Sequence, residues 1–333
     1  MANLTRKTIL IAGGCGFIAS HFVEHVHQKT EWNIVVVDKL SYASNGLARL
    51  RDSGILDSHR MRVFTSDLAQ PLTEGLIKEI GDIHYIMHMA ADTHVDNSIR
   101  DPVEVIRNNV MSTVHLLEYA RRVKGLEKFF YFSTDELYGS APANVAYKEI
   151  DRHNPTNPYS ASKSAAEQIC VAYENTYDIP LIMVNVMNVF GERQHVEKFI
   201  PRCIKYTLEG RKILIHADKT CTAPGSRSYI HARNIADAVM FLMQKGSLGE
   251  LYHIAGEREV SNLEMAKIIA DIMGRPLYYE LVNFHEDRPG HDIRYALDCT
   301  KLQELGWVPP VNFEESMRNC VRWTLDNPAW LDE

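Results

Sequence analysis

The sequence predicts an α/β protein: a doubly wound parallel sheet followed by a smaller C-terminal α/β domain. Three observations carry this. Short apolar runs alternate with helical stretches through the first half, a glycine-rich turn joins the first run to the first helix, and the rhythm changes after about residue 190. At 333 residues the chain is too long for one small core and suits two joined domains.

Taken in order, the strand candidates are Thr8–Ala12, Ile34–Val37, Arg62–Phe64, Tyr85–Met89, Phe129–Phe132 and Leu181–Val184. They lack clean apolar/polar alternation, as strands covered on both faces do. Helical patterns fall between them at about 17–28, 72–80, 102–124 and 160–178. Strand–helix–strand repetition predicts parallel pairing with right-handed crossovers. Beyond residue 190, Glu192–Leu208 reads as loop then helix, and Thr220–Ser228, with Pro224 and Gly225, as a loop. Asn234–Gln244 and Asn262–Met273 read as helices opened by an Asn cap, and Phe313–Asn327 as a last amphipathic helix capped by Asn312. The expected division is 1–187 for a dinucleotide-binding domain and 188–333 mainly for a substrate domain, with the chain returning to the first domain around 228–250. No internal repeat or low-complexity tract interrupts this pattern.

Composition narrows the function. Apolar residues make up 45% and charged residues 24%, with a net charge of −7, which argues against a bulk nucleic-acid partner. One segment departs from this: Arg193 to Arg233 holds nine Lys or Arg against three acids, which fits either an anionic small molecule or a solvated surface. The six cysteines are scattered, which suits a reducing, cytoplasmic setting. No run approaches the roughly 18 apolar residues of a spanning helix, so no membrane partner is expected. The start, basic and then briefly apolar before a glycine loop, does not read as a signal peptide.

Ala12-Gly13-Gly14-Cys15-Gly16-Phe17-Ile18-Ala19 lies between the first strand and the first helix. Gly13 permits the tight turn, Gly16 the approach of a pyrophosphate, and Ala19 close helix–sheet packing, while the helix N-terminus favours negative charge. Asp38 ends the second strand; a carboxylate there accepts from an adenosine ribose and repels a 2′-phosphate, which favours NAD over NADP. His21-Phe22-Val23-Glu24-His25 matches a metal-protease string. The helix is already assigned to the dinucleotide, so no metal site is expected there.

Tyr159 and Lys163 are four residues apart at a helix start, hence on one face. An ammonium beside a phenol is expected to lower its pKa toward neutrality and make it a base for a sugar hydroxyl. Thr134, Asp135 and Glu136 follow a buried strand, at the sheet end where ligands bind. Adjacent carboxylates there are costly without partners or a task.

With these pieces in place the chain resembles the extended short-chain dehydrogenase/reductases, of Rossmann type, and within them the dTDP-glucose 4,6-dehydratase family. The likeness spans nearly the whole length: the glycine loop with Asp38, Asp67-Leu68, the run Ala90 to Ser98, Asn109, Ser133 to Glu136, Tyr159/Lys163, Asn188 to Gly191, Glu197 to Pro201, Arg227-Ser228-Tyr229 and Asp287 to Asp292. The Thr-Asp-Glu string is the most diagnostic, because epimerases of the superfamily lack an Asp–Glu pair there. The resemblance implies NAD held by Gly13, Gly16, Phe17, Ile18, Asp38, Lys39, Asp67, Leu68, Ala90, Ala91, Thr93 and Asn109, with Tyr159 and Lys163. It implies a nucleotide-diphosphate hexose held by His94, Asn188, Glu197, Lys198, Arg227, Arg288 and His291. In the implied reaction Tyr159, aided by Thr134, takes the C4 hydroxyl proton during oxidation. Glu136 then removes the C5 proton, and protonated Asp135 donates to the departing C6 hydroxyl. Hydride then returns to C6 and a proton to C5, and the implied product is a 4-keto-6-deoxy sugar nucleotide. A 4-epimerase, a uronate decarboxylase or a UDP-N-acetylhexosamine dehydratase on the same scaffold is the alternative. Three departures from the family pattern, at Met187, at the loop 217–226 and at Gly256 to Glu259, bear on substrate identity. The resemblance also implies a homodimer joined through a four-helix bundle from the helices near 102–124 and 157–178, with Val105, Val110, Leu116, Ile169, Val171 and Tyr173 as their surplus apolar residues.

Overall fold

The computed structural model describes residues 6–283 and 294–332. Its centre is a seven-stranded sheet. β1 (Thr8–Ala12), β2 (Asn33–Asp38), β3 (Met61–Thr65), β4 (Tyr85–His88), β5 (Lys128–Thr134) and β6 (Leu181–Val186) are joined by a late strand, Glu250–Ile254. The order is β3-β2-β1-β4-β5-β6-late strand, and every pair is parallel. The order reverses between β1 and β4, which opens a crevice at the carboxyl ends of the strands.

The missing alternation has a direct cause. In β1, Ile9 and Ile11 join Phe22, Val23 and Val26 of helix Phe17–Lys29 and Ile235, Val239 and Leu242 of helix Ala232–Lys245. Leu10 and Ala12 point the other way, toward Leu116 and Leu117 of helix Pro102–Ala120 and Ala166 and Cys170 of helix Pro158–Tyr177. Each such Ile, Leu, Val or Phe side chain, fully buried, contributes about 1.5–3 kcal/mol of transfer free energy. A third core lies outside the sheet. Phe190, Ile200, Ile204, Met265, Phe313 and Met317 pack around a parallel strand pair, Ile213–Ala217 with Tyr279–Asn283.

Element boundaries differ from expectation in instructive places. Within the stretch read as a loop, Ser226–Arg227 pairs antiparallel with Val260–Ser261. The caps expected at Asn234 and Asn262 are supplied instead by His231 and Ser261. Asn234 is buried and donates to the Val311 carbonyl at 2.7 Å, while Asn262 accepts from the Tyr229 hydroxyl at 2.8 Å. Both amides thus tie elements together rather than close a helix. Asn312 does cap its helix, accepting from the Glu315 N–H at 2.9 Å. Helix Pro158–Tyr177 starts earlier than its apolar pattern, because Asn157 and Ser160 form a reciprocal capping box.

Candidate active site

The glycine turn is fixed by its neighbours. Gly13 has φ +79°, and a Cβ there would sit 2.7 Å from the Ala90 backbone, so only glycine fits. Gly14 is also closed, by Val36, which the motif alone did not reveal. Helix Phe17–Lys29 begins at Gly16 with no side-chain cap. Asp38, buried at the end of β2, accepts from Cys15 N–H at 3.0 Å and Leu40 N–H at 2.8 Å. Burial pushes its carboxyl up, and those two N–H groups oppose it. A cradle that excludes a Cβ, at an uncapped helix start and beside a fixed carboxylate, fits a dinucleotide.

Most other cofactor candidates follow the carboxyl ends of neighbouring strands, while Phe17 and Ile18 open helix Phe17–Lys29 and Asn109 lies on helix Pro102–Ala120. Lys39 donates to Asp92 at 3.2 Å and Asn108 at 2.9 Å. Asn109 is buried and pins the loop after β4: its Oδ1 accepts from Asp92 N–H at 2.8 Å and its Nδ2 donates to Ser162 Oγ at 2.9 Å. Asp67 accepts from Ala69 N–H, and the Leu68 carbonyl is 3.0 Å from His115 Nδ1. Phe17 meets His21 edge to face. His21, from the metal-protease-like string, is buried with Nε2 3.0 Å from the Glu192 carbonyl. Ile18 packs against the sheet core, Ala90 and Ala91 are half-buried, and Thr93 is exposed.

The catalytic candidates converge where β5 ends. Thr134 Oγ1 donates to Asp135 Oδ1 at 3.0 Å and accepts from Glu136 N–H at 3.3 Å. Gly139, at φ +74°, closes the turn with no room for a Cβ under the Asn154 carbonyl. Asn157, the helix cap, reaches Glu136 Oε2 at 3.4 Å; its place before Pro158 was the signal that could have marked it. Asp135 is buried, and its Oδ2 has no hydrogen-bond partner among the described residues. Burial first, then the Glu136 charge, pushes its pKa up to about 7, while Arg227 and Thr134 pull it down. Glu136 is half-buried. Two neighbouring carboxyls thus sit in unlike surroundings, the condition for one acid and one base.

One expectation fails. Lys163 Nζ donates to the Phe132 carbonyl at 2.6 Å and lies 4.2 Å over the Tyr131 ring. Tyr159 is affected in the sense opposite to that expected. Burial, Glu136 and Asp135 hold that phenol well above its usual range, and a hydrogen bond with Thr134 only partly offsets them. The four-residue spacing put both groups on one face, but the ammonium is turned to the strand. Burial lowers Lys163 to about 8.

The substrate candidates divide. His94 Nε2 is 3.4 Å from Glu197 Oε2, and Lys198 Nζ is 3.7 Å from Glu197 Oε1, so the loop after β4 meets the loop before helix Phe199–Glu209. Asn188 is exposed, its carbonyl accepting from Ile230 N–H. Arg227 is buried, 4.4 Å over the Tyr295 ring, and acts on Asp135. Arg288 and His291 lie outside the described residues. The basic segment is not one anion-binding face: Arg193 pairs with Glu24 and Asp52, Arg211 with Glu209, Lys212 with Glu280 and Arg233 with Glu192.

A doubly wound parallel sheet carrying this glycine loop, with Tyr159, Lys163 and the Thr-Asp-Glu turn at its ligand-binding end, defines an extended short-chain dehydrogenase/reductase. The chain belongs to the GDP-mannose 4,6 dehydratase family, which matches residues 10–320. It is 36% identical to the dTDP-glucose 4,6-dehydratase of Neisseria gonorrhoeae, over 97% of this chain and 96% of that one. It is also 36% identical to a trifunctional UDP-glucose 4,6-dehydratase/UDP-4-keto-6-deoxy-D-glucose 3,5-epimerase/UDP-4-keto-L-rhamnose-reductase of Arabidopsis thaliana, covering 99% of this chain and 49% of that protein. The chain thus spans about half the length of that plant relative. The crystal structure of a dTDP-glucose 4,6-dehydratase from Streptomyces venezuelae, solved with NAD bound, superposes with a TM-score of 0.85 at 30% identity, covering 98% and 99% of the two chains.

Proposed function

We propose that this protein is an NAD-dependent nucleotide-sugar 4,6-dehydratase, acting on dTDP-glucose or UDP-glucose. The observation that carries the reading is the Asp135–Glu136 pair, one carboxyl buried and raised to about 7, its neighbour half-open, beside Thr134 and Tyr159. A simple epimerase has no use for such a pair.

The glycine cradle, Asp38 and the loops after β3 and β4 are the elements we assign to NAD. A bound nicotinamide would supply the hydride acceptor for C4 and the hydride donor for C6. The protein does the rest. Tyr159 is assigned to take the C4 hydroxyl proton as its phenolate, which the Lys163 ammonium is assigned to favour against burial, with Thr134 hydrogen-bonding the same oxygen. A ketone at C4 makes the C5 proton acidic enough for a carboxylate; Glu136 takes it, and a proton returns to C5 once hydride has reached C6. Asp135, still carrying its proton near neutral pH, gives it to the leaving C6 hydroxyl. His94, Asn188, Glu197, Lys198 and Arg227, with Arg288 and His291, are assigned to the nucleotide-diphosphate end, where a guanidinium can hold two oxygens at once.

We further propose that residues 1–187, with a return segment around 228–250, hold the cofactor, and that the remainder holds the nucleotide sugar. The enzyme is proposed to be cytoplasmic and to pair through helices Pro102–Ala120 and Pro158–Tyr177 into a four-helix homodimer. No described helix is long and apolar enough to cross a membrane.

Incubation with dTDP-glucose or UDP-glucose carrying deuterium at C4 tests the reading. Mass spectrometry should find a product lighter by one water with the label on C6. A 4-epimer of unchanged mass, or a dehydrated product with the label lost, would refute it.

A further inference from the structure

Helix Pro158–Tyr177 carries a second buried charge that the mechanism above does not use. Glu167 follows Lys163 by four residues, so the two side chains leave one helix face a turn apart. Only 2% of Glu167 is exposed. Its Oε1 lies 3.3 Å from His153 Nε2, and His153 Nδ1 is 2.9 Å from Ser164 Oγ. Its Oε2 has no hydrogen-bond partner among the described residues. A buried carboxylate left half satisfied is costly, and a neutral side chain of the same shape would avoid the cost.

The nearby cation is Lys163, equally enclosed. No hydrogen bond joins the two, so they act through the interior, where attraction between charges reaches further than in water. The titratable groups facing this pair are Tyr131 of β5, His88 of β4, Tyr138 of the turn after β5, His253 of the late strand, Cys170 of the same helix, and His153. Burial keeps His88 and His253 neutral, at about 3 and about 4, and holds the hydroxyls of Tyr131 and Tyr138 and the Cys170 thiol protonated. Burial lowers Lys163, and Cys170 and Glu167 oppose it. Of the two groups that oppose the effect of burial on Lys163, the thiol is protonated, which leaves Glu167.

We propose that Glu167 is a positioning residue: the fixed counter-charge that keeps the Lys163 ammonium charged inside the core, with His153 beside it on the solvent side. The proposal rests on the assignment of Tyr159 and Lys163 above.

The test follows kcat against pH for the wild type, Lys163→Met, Glu167→Gln and Glu167→Asp, with the nucleotide sugar that the labelling experiment identifies. Lys163→Met should be inactive; normal turnover would remove the active-site assignment itself. Glu167→Gln keeps the shape and removes the charge. It should move the alkaline limb down by about one pH unit, with KM changed less than about twofold. Glu167→Asp should restore most of the limb. An unmoved limb in Glu167→Gln, or a uniform fall at every pH, overturns this inference alone, because lost packing lowers kcat without shifting a titration. If Glu167→Gln does not fold, the wild type decides. A buried counter-charge is little screened, so the limb should stay within about 0.2 unit between about 0.05 and 0.5 M salt, and a limb that moves with salt overturns the proposal.

Discussion

At Asp135, burial and the neighbouring Glu136 charge act in one direction, and the result couples catalysis to stability. The folded protein holds this proton up to about pH 7, whereas the unfolded chain releases it near 3.8. Stability therefore falls as pH rises through that window, and below it the difference vanishes. Asp135→Asn should make the protein more stable at about pH 8, by about 2–4 kcal/mol, and leave it unchanged near pH 4. Thermal melts at the two pH values check this. The same variant should lose dehydration by about 10²–10⁴-fold while oxidation at C4 persists, read as reduced nicotinamide absorbance without product. Tyr159→Phe should instead stop the reaction before that absorbance appears, with cofactor affinity unchanged in a fluorescence titration. These residues were legible because their string sits at the end of a buried strand. The pKa ordering was not: it depends on how deeply the fold buries Asp135, and on the opposing charge of Arg227, about ninety residues further on.

The glycine turn and the strands around it form one mechanical element. Gly13→Ala would need a left-handed backbone and a Cβ driven into Ala90, so it should abolish NAD binding and lower stability by at least about 1–3 kcal/mol. Asp38→Ala removes the acceptor of two buried or half-buried N–H groups as well as the proposed ribose contact. It should weaken NAD, relax discrimination against NADP, and lower stability by about 1–3 kcal/mol; paired titrations with both dinucleotides and a denaturant melt separate these effects. Strands of this kind are easy to read, since a five-residue apolar run such as Thr8–Ala12 has nowhere to go but a sheet covered on both sides. Caps such as His231 and Ser261 were harder. Whether an Asn closes a helix or bridges to Val311 is decided by what lies opposite, and local sequence does not contain that.

At the scale of the whole molecule, the helices expected to form the dimer contact are already partly engaged. Leu116 and Val105 are buried within the chain, whereas Val110, Ile169, Val171 and Tyr173 are half-covered and Val103, Ile106 and Tyr177 are exposed. Ile106→Glu should therefore shift a dimer toward monomer in sedimentation while leaving the fold's circular dichroism intact; an unchanged mass would place the contact elsewhere. The buried contacts Glu167–His153 and His231–Glu192 were invisible in the sequence because each joins segments that only the completed fold brings together. The late strand Glu250–Ile254 has a practical consequence of its own. A fragment ending near residue 187 would leave β6 with a bare row of unpaired amides and carbonyls, an open template for aggregation. Gene shuffling between relatives should therefore tolerate swaps that carry both halves of this sheet together, and should yield insoluble chimeras when the crossover separates them.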